Sequence, residues 1–183
     1  MLSIRNLLAD ADRDAGRGGS AIGATRAEDA VVVAWSGWLG EPAASADGMV
    51  ERDFRTWSGA GRAALDAFVE SARQPDAGSS AAIWFRPHHR HVLSDAPSCA
   101  AFLKSHEALV ASDQIGLFVD AALLIDESMA ATRPDHIDRI IERLAPLDGI
   151  RAIAMHADDW DALDATLRSV IETRAIPTLE PVH

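Results

Sequence analysis

The segment Ala82-Ile83-Trp84-Phe85-Arg86-Pro87-His88-His89-Arg90-His91 decides the architecture. A short apolar run stops abruptly in cations and imidazoles, the pattern of a buried strand that delivers polar groups to one rim of a sheet. Pro87 supports the stop, because it has no N–H for a sheet ladder and belongs at strand ends. Two later runs end in the same manner. Ile115-Gly116-Leu117-Phe118-Val119 stops at Asp120, and Ile150-Arg151-Ala152-Ile153-Ala154-Met155 stops at His156.

Upstream, Ala30-Val31-Val32-Val33-Ala34-Trp35 is a continuous β-branched run suited to a strand buried on both faces. Helical stripes separate these runs. Leu65, Phe68, Val69 and Ala72 form one; Phe102, Leu103, His106, Leu109 and Val110 form a second, entered through Ser94 and Pro97. Ile137, Ile140, Ile141 and Leu144 follow Thr132-Arg133-Pro134-Asp135, which resembles a capping box. Trp160, Leu163, Leu167, Val170 and Ile171 make a fourth stripe, capped by Asp158 or Asp159, and Ile176-Pro177-Thr178-Leu179 reads as a short last strand before Glu180. The order β-α-β-α-β-α-β-α-(β), with few signs of hairpins, implies an α/β fold of parallel-stranded βα repeats joined by right-handed crossovers. Both an open doubly wound sheet and a barrel satisfy that order. A complete eight-stranded βα barrel needs around 250 residues, so a partial or shortened barrel-like sheet with outer helices is expected.

The 183 residues fit one α/β domain over 1–183, with a poorly defined amino-terminal extension over 1–20 and a long loop over 41–55. A weak helix is read over residues 1 to 13, before the break Gly16-Arg17-Gly18-Gly19. With 48% hydrophobic and 25% charged residues the composition is that of an ordinary globular chain, and no apolar run approaches the ~18 to 20 residues that cross a bilayer. A net charge of −11 repels phosphate backbones, so no nucleic-acid partner is expected. Cys99 is the single cysteine, read as core filler in a helix; with no signal-peptide pattern at the start, the expected location is cytoplasmic.

No Gly-x-Gly-x-x-Gly follows a strand, and neither a Gly-x-x-x-x-Gly-Lys-Ser/Thr loop nor a Gly-x-Ser-x-Gly elbow is present. What remains is metal-ligand chemistry. In α/β folds, sites gather outside the carboxyl ends of parallel strands, where His88, Asp120 and His156 can converge. Mixed imidazole and carboxylate ligands suit Mn, Zn, Co or Fe. Arg86 either binds a substrate carboxylate or phosphate through its planar fork or pairs with Asp120 across neighbouring strands. Trp35, Trp38 and Trp84 are core or lid residues, or a platform for a sugar. Of His88, His89 and His91 one is expected to face the site, His88 first, and the others solvent; His106 lies on an apolar helical stripe, and His136 faces solvent in a first helical turn.

At these strand ends the chain resembles the carboxyl-terminal part of the xylose isomerase-like TIM-barrel superfamily, over roughly residues 20 to 180. In that family a strand commonly ends Glu-Pro-His or Glu-Asn, a later one Asp-x-x-His, and the next reads His-x-x-Asp. The matching segments are Arg86-Pro87-His88, Asp120-Ala121-Ala122-Leu123 and His156-Ala157-Asp158-Asp159, and the segment from Ala21 to Val33 resembles the family's helix–turn–strand lead-in. Glu180 matches the family's last metal-binding glutamate. The resemblance implies a sugar or sugar-phosphate isomerase or epimerase in which Asp120, His156 and Glu180 hold a divalent metal ion (Mn, Zn, Co or Fe). His88 would then be acid/base or ligand, and Arg86 would grip an anionic group of the small-molecule substrate. The departures are Arg86 in place of a metal-binding glutamate and Leu123 in place of a histidine. A cation at a ligand position reverses the charge balance of a divalent site, so the alternative is a non-catalytic binding or assembly domain, a half-barrel homodimer that has lost its metal chemistry. In either case a homo-oligomer is expected, since an incomplete barrel exposes strand edges.

Overall fold

The computed structural model describes residues 24–26, 31–39, 54–72 and 82–180. A three-residue strand, β1 (Ala24–Arg26), pairs antiparallel with β2 (Val31–Trp35), Thr25 lying opposite Val33. From β2 onward every neighbour is parallel: β3 (Ala82–Arg86), β4 (Ile115–Asp120), β5 (Ile150–Ala154) and β6 (Thr178–Leu179) follow in chain order. The strand-ending runs of the sequence are thus the parallel strands of an α/β sheet. The antiparallel β1 is a correction to the helix–turn–strand lead-in implied for Ala21 to Val33; three residues, Ala24-Thr25-Arg26, are too short and too polar to show alternation.

Between β2 and β3 lies α1 (Gly59–Ala72); between β3 and β4 lie α2 (Ala96–Ser105) and α3 (Glu107–Ala111); α4 (Arg133–Leu144) joins β4 to β5, and α5 (Ala157–Ala162) and α6 (Ala165–Thr173) join β5 to β6. Strand order equals chain order, so each crossover steps the same way, and right-handed crossovers then put their helices on one face. The packing agrees. Leu65 and Val69 of α1, Phe102 and Leu103 of α2, Ile137 and Ile141 of α4 and Ile171 of α6 share one core with Ala34, Phe85, Leu117 and Ile153 of the sheet. The opposite face carries a smaller cluster of strand residues alone, Val33, Phe118, Ala152 and Ala154, with Trp84 and Leu179 against it. Among the described residues the winding is therefore that of a barrel segment, not of a doubly wound sheet whose order reverses at a switch point.

Phe85 shows why β3 is central. Its ring meets Phe68 at 6.0 Å and Phe102 at 5.3 Å, both edge to face, so one strand residue ties α1 to α2. Such pairs add about 0.5–1.5 kcal/mol each beyond the area they bury. Because side chains alternate, burying Phe85 on the helix side turns Trp84 and Arg86 to the other face.

Two of the helical stripes are broken. The second is two helices meeting at His106, which ends α2 and precedes α3, and its cap is Asp95, not Ser94: Asp95 Oδ1 accepts from Ser98 N–H at 2.7 Å while Ser98 Oγ accepts from Asp95 N–H at 3.1 Å. The fourth divides around Leu163 and Asp164, and the cap is Asp164, which accepts from Thr166 N–H at 2.7 Å. Thr132 precedes α4 without a side-chain cap bond, so no capping box forms there, although Pro134 occupies the first turn as expected. The expected helix over residues 1 to 13, the glycine break and most of the 41–55 loop lie outside the described residues; the end of that loop enters a 3-10 turn, Phe54–Trp57.

Candidate functional site

Arg86 closes β3 and Asp120 closes the adjacent β4. Alternation places both on the face away from the helices, where Arg86 Nη2 donates to Asp120 Oδ2 at 3.0 Å with each side chain 3% exposed. Asp120 Oδ1 accepts from Ala122 N–H at 3.1 Å and so caps the 3-10 turn Ala121–Leu124. The guanidinium lies 4.8 Å from the centre of the Trp35 ring and 6.0 Å from that of Phe118. A buried ion pair survives only when each charge is answered at close range, and the aromatic faces add to that answer for Arg86. Of the two roles read for Arg86, pairing with Asp120 is the one found.

The loop after β3 is tied on both sides. His88 N–H donates to Leu93 O at 3.1 Å, His91 N–H to His88 O at 2.8 Å, and His89 N–H to Leu123 O, beyond β4, at 2.8 Å. Val92 N–H donates to Gly37 O, beyond β2, at 2.8 Å. Gly37 turns with φ 72°, a conformation that residues with a Cβ rarely adopt. Loops from three adjacent strand ends are thereby joined into one rim.

On that rim three imidazoles pack together. His88 and His89 stack at 4.3 Å between ring centres, and His88 and His91 lie 4.8 Å apart. Trp35 meets His91 edge-on at 5.1 Å, and Trp38 covers it at 5.1 Å. Burial, helped by the neighbouring charges of His89, Arg90 and Arg86, lowers the His88 pKa to about 3. Burial, then His88, His89 and Arg86, lowers that of His91 to about 2. Both rings are therefore neutral at physiological pH. His91 is 7% exposed and its Nδ1 is buried with no hydrogen-bond partner among the described residues, a costly arrangement of the kind that clusters at functional sites.

The remaining expected ligands are not drawn into this cluster. His156, half-buried, precedes α5 and makes no side-chain cap bond; Glu180 is exposed beyond β6. Among the described residues no three His, Cys, Asp or Glu side chains are grouped to hold a metal ion. Asp120 spends its oxygens on Arg86 and the Ala122 N–H, and a guanidinium beside it opposes a divalent cation. Asp120, His156 and Glu180 do not fit the expected metal centre. Leu123, which stands where the resemblance has a histidine, contributes its carbonyl oxygen to His89 instead.

Other residues take structural parts. Asp159 forms a two-pronged pair with Arg133, at 3.0 Å to Nε and 2.6 Å to Nη2. That pair, and with smaller effect the charge of Asp120, raises the Arg133 pKa. His106 meets Asp66 at 2.9 Å between α2 and α1. Cys99 is fully buried and burial pushes its thiol pKa up, which suits core filler and not a nucleophile. A groove of about 480 Å³, lined by Pro97, Leu124, Met129, His136, Ile140 and Arg143 among others, opens between α2 and α4 on the helical side and includes none of the histidines of the rim.

Sequence reasoning weighed Trp35 as core, lid or platform and expected only one of His88, His89 and His91 to face the site; it missed the packing of all three imidazoles together and of Trp35 against His91. The signal was present in part: a tryptophan ends β2, at the same rim where β3 delivers its histidines. No helix among the described residues is long and apolar enough to cross a membrane. Comparison with protein-family models, with curated proteins and with solved structures finds no match.

Proposed function

We propose that the rim formed by Trp35, Trp38, Arg86, His88, His89 and His91 is a small-molecule site for acid–base chemistry on an oxygen-rich substrate, of the sugar or sugar-phosphate isomerase and epimerase class. The observation that carries the reading is the cluster of three half-buried or buried imidazoles on a loop hydrogen-bonded to both neighbouring strand ends, next to a buried Arg86–Asp120 pair. Sites of α/β folds lie at such ends. In this reading no step passes through a divalent ion. His88 acts directly on substrate; Arg86, held by Asp120, supports the rim and lends a positive field where negative charge develops on a substrate oxygen. Trp38, half-buried beside His91, offers apolar stacking surface to a sugar ring.

The test is exchange of substrate hydrogen with solvent. The purified chain is incubated in deuterated buffer with aldoses, ketoses and their phosphates, and deuterium at the carbon next to the carbonyl is followed. The expected result is exchange or interconversion with at least one of them, slowed about 10²–10⁴-fold in His88→Phe, the usual worth of a positioned acid–base group. No exchange with any of them, or equal exchange in His88→Phe, overturns the reading.

A second reading is favoured by the winding of the sheet. Parallel strands in chain order that end in the two-residue β6 form part of a barrel, and a second copy would pair the edge. A half-barrel homodimer predicts a two-chain mass by light scattering; a monomer at micromolar concentration removes it.

A further inference from the structure

The backbone around the histidines distributes their protons unequally. Arg90 N–H donates to His88 Nδ1 at 3.1 Å, so that nitrogen carries a lone pair, and the proton of the neutral ring sits on Nε2. His89 Nδ1 lies 3.0 Å from Leu123 O. A carbonyl oxygen only accepts, so Nδ1 of His89 bears a proton, and of the two neutral tautomers the bond selects the one whose Nε2 carries the lone pair. Neither Nε2 has a hydrogen-bond partner among the described residues, both rings are partly exposed, and they stack at 4.3 Å.

We propose that His88 and His89 form a donor–acceptor couple of opposite tautomers that selects an α-hydroxy carbonyl compound, with His88 Nε2–H hydrogen-bonded to the carbonyl oxygen and His89 Nε2 as the base. The inference rests on the acid–base site proposed above and names its ligand class and its base. The same backbone bond removes His88 from the metal ligands, because a ligating Nε2 needs its proton moved to Nδ1, where Arg90 N–H already donates.

The step balances without a further reactant. His89 Nε2 takes the proton from the hydroxyl-bearing carbon, and the C–H electron pair becomes the C=C bond of an enediolate. The carbonyl π pair moves to its oxygen, which accepts the His88 Nε2–H hydrogen bond. The hydroxyl proton passes between the two adjacent oxygens. The His89 imidazolium then returns its proton to the former carbonyl carbon, leaving the carbonyl on the neighbouring carbon and both rings in their starting forms.

The tautomers can be read by long-range ¹⁵N–¹H correlation spectroscopy on the full, ¹⁵N-labelled chain near pH 7.5, with signals assigned by their loss in His88→Phe and His89→Phe. The expected spectrum has His88 protonated at Nε2 and His89 at Nδ1. The probe is acetohydroxamate, whose carbonyl beside an O–H imitates an enediol; it should shift both rings, and each variant should bind it about tenfold or more weakly. His89→Gln keeps a donor for the Leu123 carbonyl and separates loss of the base from loss of the loop: it should melt like the parent chain and still lose binding. Identical tautomers, or a probe that shifts neither ring, overturn the couple while the rim remains open to the exchange assay. Opposite tautomers with the probe bound, and no exchange with any sugar, support the couple and remove the isomerase reading.

Discussion

Arg86 Nη2 donates to Asp120 Oδ2 at 3.0 Å across two parallel strands, and neither side chain is more than 3% exposed. Removing one partner leaves the other charge buried and unanswered, which costs far more than the pair contributes net. Asp120→Ala should therefore lower unfolding free energy by about 3–5 kcal/mol, whereas the double replacement Arg86→Met/Asp120→Leu should recover most of that loss. Denaturant melts of the three proteins decide it. A single variant within about 1 kcal/mol of wild type would show that water reaches the pair.

Burial of the histidines makes stability depend on pH. Unfolded imidazoles take up protons near 6.5, while His88 resists down to about 3 and His91 to about 2. Between those limits the unfolded state binds more protons, so this stability is complete above pH 6.5 and declines as pH falls, by up to about 1.4 kcal/mol per unit for each ring. His91→Phe, which also removes the unpartnered Nδ1, should stay within about 1 kcal/mol of wild type at neutral pH and flatten the decline below pH 6. An unchanged slope would mean that His91 protonates in the folded chain.

Gly149 enters β5 with φ 94°, and a Cβ there would stand 2.7 Å from Leu103 Cδ2 and 2.9 Å from Val110 Cγ1. Gly149→Ala combines a left-handed backbone with crowding under α2 and α3, and should cost about 2–4 kcal/mol. Gly59, at the start of α1, has nothing within 4 Å of its would-be Cβ. Gly59→Ala should be neutral or stabilise by up to about 1 kcal/mol. Thermal melts that rank the two in the opposite order would contradict the packing.

The two capping positions differ although both look suitable in sequence. Asp95 and Ser98 exchange bonds with each other's backbone, whereas Thr132 makes no side-chain cap bond. Asp95→Ala should cost about 0.5–2 kcal/mol and Thr132→Ala only a few tenths. Equal losses would show that the cap is not what separates them.

Much of the fold was legible in the sequence because it rests on local rules. Ala82–Phe85 is apolar on both faces and Arg86-Pro87 cannot continue it, so the strand and its end were both readable. Helix breaks were not: the apolar stripe runs on past His106 and past Leu163, and stripes do not report where a chain changes direction. The site was legible to the level of Arg86, His88 and Asp120. Their partnership was readable only as one of two roles for Arg86, since a carboxylate at a strand end satisfies a metal and a guanidinium equally well in sequence.

By itself the amino-acid sequence determined the α/β class, the parallel strands and the delivery of Arg86, His88 and Asp120 to one rim, because hydrophobic period and strand-stopping residues act over a few neighbours. Only the tertiary structure decided the single winding, the Arg86–Asp120 pair, the lack among the described residues of any three-residue ligand group, and the different backbone partners of the His88 and His89 rings. Each of these depends on which atoms meet across strands distant in sequence, where distance and burial, and not residue type, set the energy.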